Sequence, residues 1–120
     1  MAIRSLQAQI ARFAAEREWE PFHTPKNLVM ALTGEVGELS ELFQWLTPEQ
    51  SATIAHDPAR RTRVEEELAD VLIYLLRLAD VLDVDLVAAV EAKLKSNAER
   101  YPVATARGRA LKYSDLDDAS

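Results

Sequence analysis

The sequence has no cysteine, which excludes disulfides, thiolate metal sites and a cysteine nucleophile. The absence also fits a reducing compartment. Glycine occurs only 3 times in 120 residues, too seldom for a Gly-rich phosphate loop, and Gly34-Glu35-Val36-Gly37 does not match one. No apolar run reaches the roughly 20 residues needed to span a bilayer, and no secretory apolar segment follows Met1. The expectation is a cytoplasmic protein with no membrane partner. Basic residues number 14 against 20 acidic ones, and a net charge of −6 argues against a nucleic-acid partner. Histidine is scarce as well. Glu20 and His23 have the Glu-x-x-His spacing of di-iron bundles, but Pro21 interrupts a helix there and His56 has no Glu three residues before it. A di-iron centre is therefore discounted.

What is present is globular in composition, 48% apolar and 28% charged, and 120 residues suffice for one domain with a core. The sequence is read as a single domain over 1–120. Apolar residues recur at helical spacing, with no strand-like alternation of any length. A first helix is expected over about 5–18, with Leu6, Ile10, Phe13 and Ala14 on one side. Pro21 breaks the chain, and Thr24-Pro25 is a cap followed by proline at the first helical position. The second helix should run over about 25–46, with Gly34 and Gly37 either weak spots or places of close approach. A connector follows, with at most one helical turn. Asp57-Pro58 opens a third helix over about 58–82, with an expected core stripe of Val64, Leu68, Val71, Leu75, Leu78 and Leu82. Asp85 can cap a fourth helix over 85–100, and Pro102 ends it. The tail, 103–120, reads as irregular. The architecture is an all-α bundle of four main helices.

Two of these helices carry paired acids. Glu35 and Glu38 stand three residues apart, as do Glu67 and Asp70, so each pair lies on one helix face. Acidic pairs at this spacing are ordinarily solvated. Here Glu35 falls in the apolar stripe defined by Leu28, Leu32, Leu39 and Leu42, and Glu67 at the edge of that defined by Val64, Val71 and Tyr74. Buried carboxylates are normally paired or bound to metal. Two such faces brought together would make an oxygen-donor pocket suited to Mg²⁺, which commonly shares its shell with substrate phosphates.

The aromatics Trp19, Trp45 and Tyr74 read either as packing or as a stacking wall for a nucleobase. Lys93, Asn97 and Arg100 share one face of the fourth helix, a solvated stripe or a phosphate-reaching surface, and Arg107, Arg109 and Lys112 add positive charge in the tail.

At these residues the chain resembles the MazG-like all-α nucleoside triphosphate pyrophosphohydrolases and their dimeric dUTPase relatives. The resemblance rests on Glu35-Val-Gly-Glu38, Glu67-Leu-Ala-Asp70 and the Lys93, Asn97, Arg100 element. Trp19-Glu-Pro-Phe-His23, Phe43-Gln-Trp45, Arg100-Tyr-Pro-Val103, Arg107-Gly108 and Lys112-Tyr113 are similar to the dCTP pyrophosphatases in particular. Ile10 stands where relatives often carry a polar residue. The resemblance implies Mg²⁺-dependent hydrolysis of a deoxynucleoside triphosphate, dCTP or a modified dCTP, to the monophosphate and pyrophosphate, in the service of nucleotide-pool sanitation. It implies Glu35, Glu38, Glu67 and Asp70 as metal ligands and catalytic residues, and Trp19, Trp45 and Tyr74 around the base. It further implies substrate contacts from His23, Lys93, Asn97, Arg100, Arg107, Lys112 and Tyr113, and a homotetramer built as a dimer of dimers. A metal-activated water would attack phosphorus, with Glu38 or Glu41 orienting it. The alternatives are the same chemistry on another nucleotide, such as dUTP, and a non-catalytic helical interaction protein.

Overall fold

The computed structural model describes residues 2–112, 114 and 115, and within them every regular element is helical. The helices are α1 (Ala2–Glu16), α2 (Pro25–Phe43), α3 (Pro48–Ala52), α4 (Pro58–Val81), α5 (Leu86–Arg100) and α6 (Val103–Ala106). Single 3-10 turns cover Glu20–Phe22 and Ile54–His56. The all-α expectation holds, and the four long helices fall within a few residues of the expected spans, α1 beginning at Ala2 rather than near 5. The chain divides into two compact units, Met1–Asp83 and Val84–Ser120. In the first, α2 packs along α4, and α1 packs against α4.

Helix starts follow local chemistry. The Thr24 hydroxyl accepts from the Asn27 amide at 3.2 Å, with Pro25 in the first turn. Thr47 and Gln50 form a reciprocal capping box at α3. Asp85 Oδ1 accepts from the Ala88 amide at 3.0 Å at the start of α5. Asp57 precedes α4 as expected but makes no capping bond, and its carboxylate instead lies 3.7 Å from Arg60 Nε.

Helix ends depart from the expectation. α1 stops at Glu16 rather than near 18, because Glu18 takes a left-handed conformation, φ 54°. The Glu18 amide donates to Ala15 O at 3.0 Å and the Trp19 amide to Ala14 O at 3.0 Å, the paired bonds of a Schellman cap. α2 ends at Phe43, short of 46, and leaves Trp45 beyond the helix. Pro48 holds Thr47 extended (ψ 163°), so the chain must leave the helix before it. The connector is more ordered than expected, holding α3 and a 3-10 turn whose Ile54 is buried. Likewise, the tail expected to be irregular begins with α6.

The buried apolar residues are Ala14, Leu28, Ile54, Leu76 and Ala79. The expected stripe on α4 is corrected here. Leu68, Leu75 and Leu82 are exposed, while Leu76, Ala79 and Glu67 take the buried positions. α4 is apolar around much of its circumference, so helical period alone does not select its inner face. Among the described residues, nothing lies within 4 Å of where a Cβ would stand on Gly34 or Gly37, so no described neighbouring helix requires them. Among the described residues, no helix is long and apolar enough to cross a membrane.

Candidate metal and nucleotide site

The packing of α2 on α4 brings the two acidic pairs together. Carboxylate oxygens of Glu35, Glu38 and Glu67 lie within 4.8 Å of one another. Glu67 is 7% exposed, the one buried charged residue among those described, Glu35 is half-buried and Glu38 faces solvent. Asp70, a turn beyond Glu67, stands outside this trio but near enough for its charge to act on both Glu35 and Glu67. The expectation that Glu35 and Glu67 turn inward is met, and a solvated acidic face does not describe them.

Electrostatics report the strain of this arrangement. Burial, with Glu38 beside it, pushes the Glu35 carboxyl from its ordinary 4.5 up to about 7. Burial and Glu38 push Glu67 up as well. Arg63 Nη2 lies 4.0 Å from Glu67 Oε1, a distant and exposed counter-charge. Oε2 of Glu35 and Oε2 of Glu67 are buried with no hydrogen-bond partner among the described residues. Buried polar atoms are nearly always paired, so two orphaned carboxylate oxygens in one acid cluster need a cation or a proton. Clustered hard oxygens are the donor set that Mg²⁺ or a similar divalent ion takes, and the residues present fit such an ion.

The expected aromatics all belong to the first unit. Trp19, on the turn after α1, packs edge-on to Phe13 with ring centroids 5.7 Å apart. His23 follows the first 3-10 turn, its ring 6.3 Å from that of Trp19. Trp45 is 86% exposed and lines an open cavity of about 420 Å³ with Glu41, Leu42, Arg60 and Arg63. Tyr74, partly buried, lies on α4 one turn past Asp70. Ile10 lines an apolar groove of about 500 Å³ with Phe13, Leu72 and Ile73, which accounts for an apolar side chain at that position.

The remaining expected residues belong to the second unit. Lys93, Asn97 and Arg100 are on α5, with Asn97 partly buried and its carbonyl accepting from the Tyr101 amide at 2.8 Å. Arg107 follows α6 and Lys112 lies beyond it, both exposed. Tyr113 lies outside the described residues.

Sequence reading passed over two basic residues. Arg63 is one turn before Glu67 and lines the Trp45 cavity. The Arg77 side chain is only 11% exposed, and its Nε donates to His23 Nδ1 at 3.1 Å. Spacing from Glu67 signals Arg63, four residues away, but nothing local signals a contact between residues 23 and 77.

Residues 31–116 match the model of the MazG-like family. The chain is 54% identical over 114 residues to dCTP pyrophosphatase 1 of Rattus norvegicus, which covers 95% of this chain but 65% of the rat protein, just under two thirds of its length. It is 35% identical to the dATP/dGTP diphosphohydrolase of Cyanophage S-2L, over 82% of this chain and 75% of that one. In three dimensions it is similar to a pyrophosphatase from Archaeoglobus fulgidus, known by crystal structure, with a TM-score of 0.78 and 39% identity, covering 85% of this chain and 94% of that one. The acidic pairs on α2 and α4 lie within the matched residues, and the chain belongs to the MazG-like family.

Proposed function

We propose that this chain hydrolyses deoxynucleoside triphosphates, dCTP foremost, to the monophosphate and pyrophosphate, in a Mg²⁺-dependent reaction. The carrying observation is the pair of orphaned buried oxygens on Glu35 and Glu67 within a cluster of acids. The activities for which the rat, cyanophage and archaeal relatives are named support the nucleotide chemistry. Glu35, Glu38, Glu67 and Asp70 are the cation's ligands. Bound there, Mg²⁺ supplies charge neutralisation at the triphosphate and acidifies water. The chain's own part is positioning and proton handling, which is most of what phosphoryl chemistry needs. Glu38 is committed to the cation, so Glu41, one turn further and facing the Trp45 cavity, orients the attacking water and takes its proton. Trp19, Trp45 and Tyr74 enclose the base, and His23 offers it a hydrogen bond. Lys93, Asn97, Arg100, Arg107, Lys112 and Tyr113 supply contacts to phosphate and sugar.

Both units form one catalytic domain, a reading supported by a family match that runs through both. The domain is a four-helix bundle working in the cytoplasm as a homotetramer, a dimer of dimers. Exposed Leu68, Leu72 and Leu75 on one face of α4 support the assembly, since so much apolar surface on one helix face ordinarily meets a partner.

The test is pyrophosphate release from a panel of deoxynucleotides and ribonucleotides, with Mg²⁺ and with chelator. Metal-dependent turnover led by dCTP, falling at least about 100-fold in Glu38→Gln with the fold intact, is the expected result. Turnover led by dUTP or a purine nucleotide overturns the substrate assignment and keeps the site. No turnover by folded protein overturns the enzymatic reading in favour of a helical interaction protein.

A further inference from the structure

Arg77 lies seven residues past Asp70 and three past Tyr74, so Glu67, Asp70, Tyr74 and Arg77 follow one face of α4. A guanidinium only 11% exposed is rare unless it is paired. Two groups hold it. Nη1 stands 3.6 Å from Asp80 Oδ2, and Nε donates to His23 Nδ1 at 3.1 Å. The second bond joins residues 54 apart in sequence and ties the connector between α1 and α2 to α4. His23 in turn sits edge-on to Trp19.

The direction of that bond carries chemical information. An arginine side chain donates and does not accept, and it keeps its protons at any accessible pH. A ring nitrogen that accepts from it bears no proton, so the proton of a neutral imidazole is on Nε2. Burial and the Arg77 charge both lower the His23 pKa, which keeps the ring neutral at pH 7.

We propose that Arg77 is a positioning residue for substrate recognition: by donating to Nδ1 it holds His23 as the Nε2–H tautomer, a fixed neutral donor beside Trp19 for an acceptor on the base edge. This rests on the nucleotide reading above. The chemistry suits a pyrimidine whose N3 and O2 both accept, as in cytosine. Uracil carries a proton at N3 and offers a single donor fewer matching acceptors on that edge. Arg77 would thus contribute to base choice without touching the base.

Two measurements on the full chain test this. The first is the imidazole ¹⁵N spectrum, which is simple because the chain has only 2 histidines, His23 and His56. The wild type should show His23 with a bare Nδ1 and a protonated Nε2. Arg77→Met should give a mixture of tautomers, and Arg77→Lys, whose ammonium still donates, should keep Nε2–H. The second is steady-state kinetics. Arg77→Met should raise the KM for dCTP about tenfold, the worth of one well-placed hydrogen bond, with kcat within about threefold of wild type. It should also narrow the preference for dCTP over dUTP, and Arg77→Lys should recover most of both. A wild-type His23 protonated at Nδ1 overturns the Arg77 assignment whatever the substrate. An unchanged KM in Arg77→Met, with a lower Tm alone, makes Arg77 a brace and overturns the positioning role. If no nucleotide is turned over, the nucleotide reading falls and the substrate half of the proposal falls with it.

Discussion

Glu35→Gln should change the stability of the protein in opposite directions with and without metal. Glu35 titrates near 7 instead of 4.5, so the folded protein holds a proton there that the unfolded chain has already released. A group with a raised carboxyl pKa contributes stability that is complete below the unfolded value and is lost as pH rises through the folded one. Ionising Glu35 in the metal-free fold therefore costs up to about 3 kcal/mol at 1.36 kcal/mol per pH unit. Its side chain is reached by solvent, and screening reduces this to about 1–2 kcal/mol. The window is pH 4.5 to about 7. In chelator at pH 8, Glu35→Gln should be about 1–2 kcal/mol more stable than wild type by urea unfolding, and at pH 4.5 the two should coincide. With Mg²⁺ in excess the order should reverse, because the wild type gains binding free energy that the variant has weakened. A metal-free wild type equally stable at both pH values, and indistinguishable from the variant at pH 8, would refute the crowded-carboxylate argument.

Other expectations follow from the packing. Leu76 on α4 is 2% exposed and lies beside α1, and Leu76→Ala should cost about 2–5 kcal/mol in chemical denaturation; a loss under about 1 kcal/mol would mean the site is not close-packed. Glu18 holds a left-handed backbone at the α1 cap, so Glu18→Gly should raise stability by about 1 kcal/mol, read as a higher denaturation midpoint.

Helix starts and the acid pairs were legible because they are local. Thr24-Pro25, Asp57-Pro58 and Asp85 act within one turn of themselves, and three-residue spacing places Glu35 with Glu38 and Glu67 with Asp70 on any helix. The convergence of the two pairs was inferred from their place on apolar stripes, and the packing of α2 on α4 produces it. The end of α1 was not legible, because the left-handed cap falls on a glutamate where glycine would have announced it. Nor was the inner face of α4. Leu68, Val71, Leu72, Ile73, Leu75, Leu76 and Leu78 leave it apolar on several sides, and only the helices packed against it bury Leu76 and Ala79 while Leu68 and Leu75 stay exposed. Sequence thus determined where α2, α4 and α5 begin and which carboxylates share a face, since those depend on neighbours within four positions. Tertiary structure decided which carboxylate oxygens are stranded without partners and which histidine nitrogen Arg77 engages, since these depend on groups that only the folded chain brings within a few ångströms.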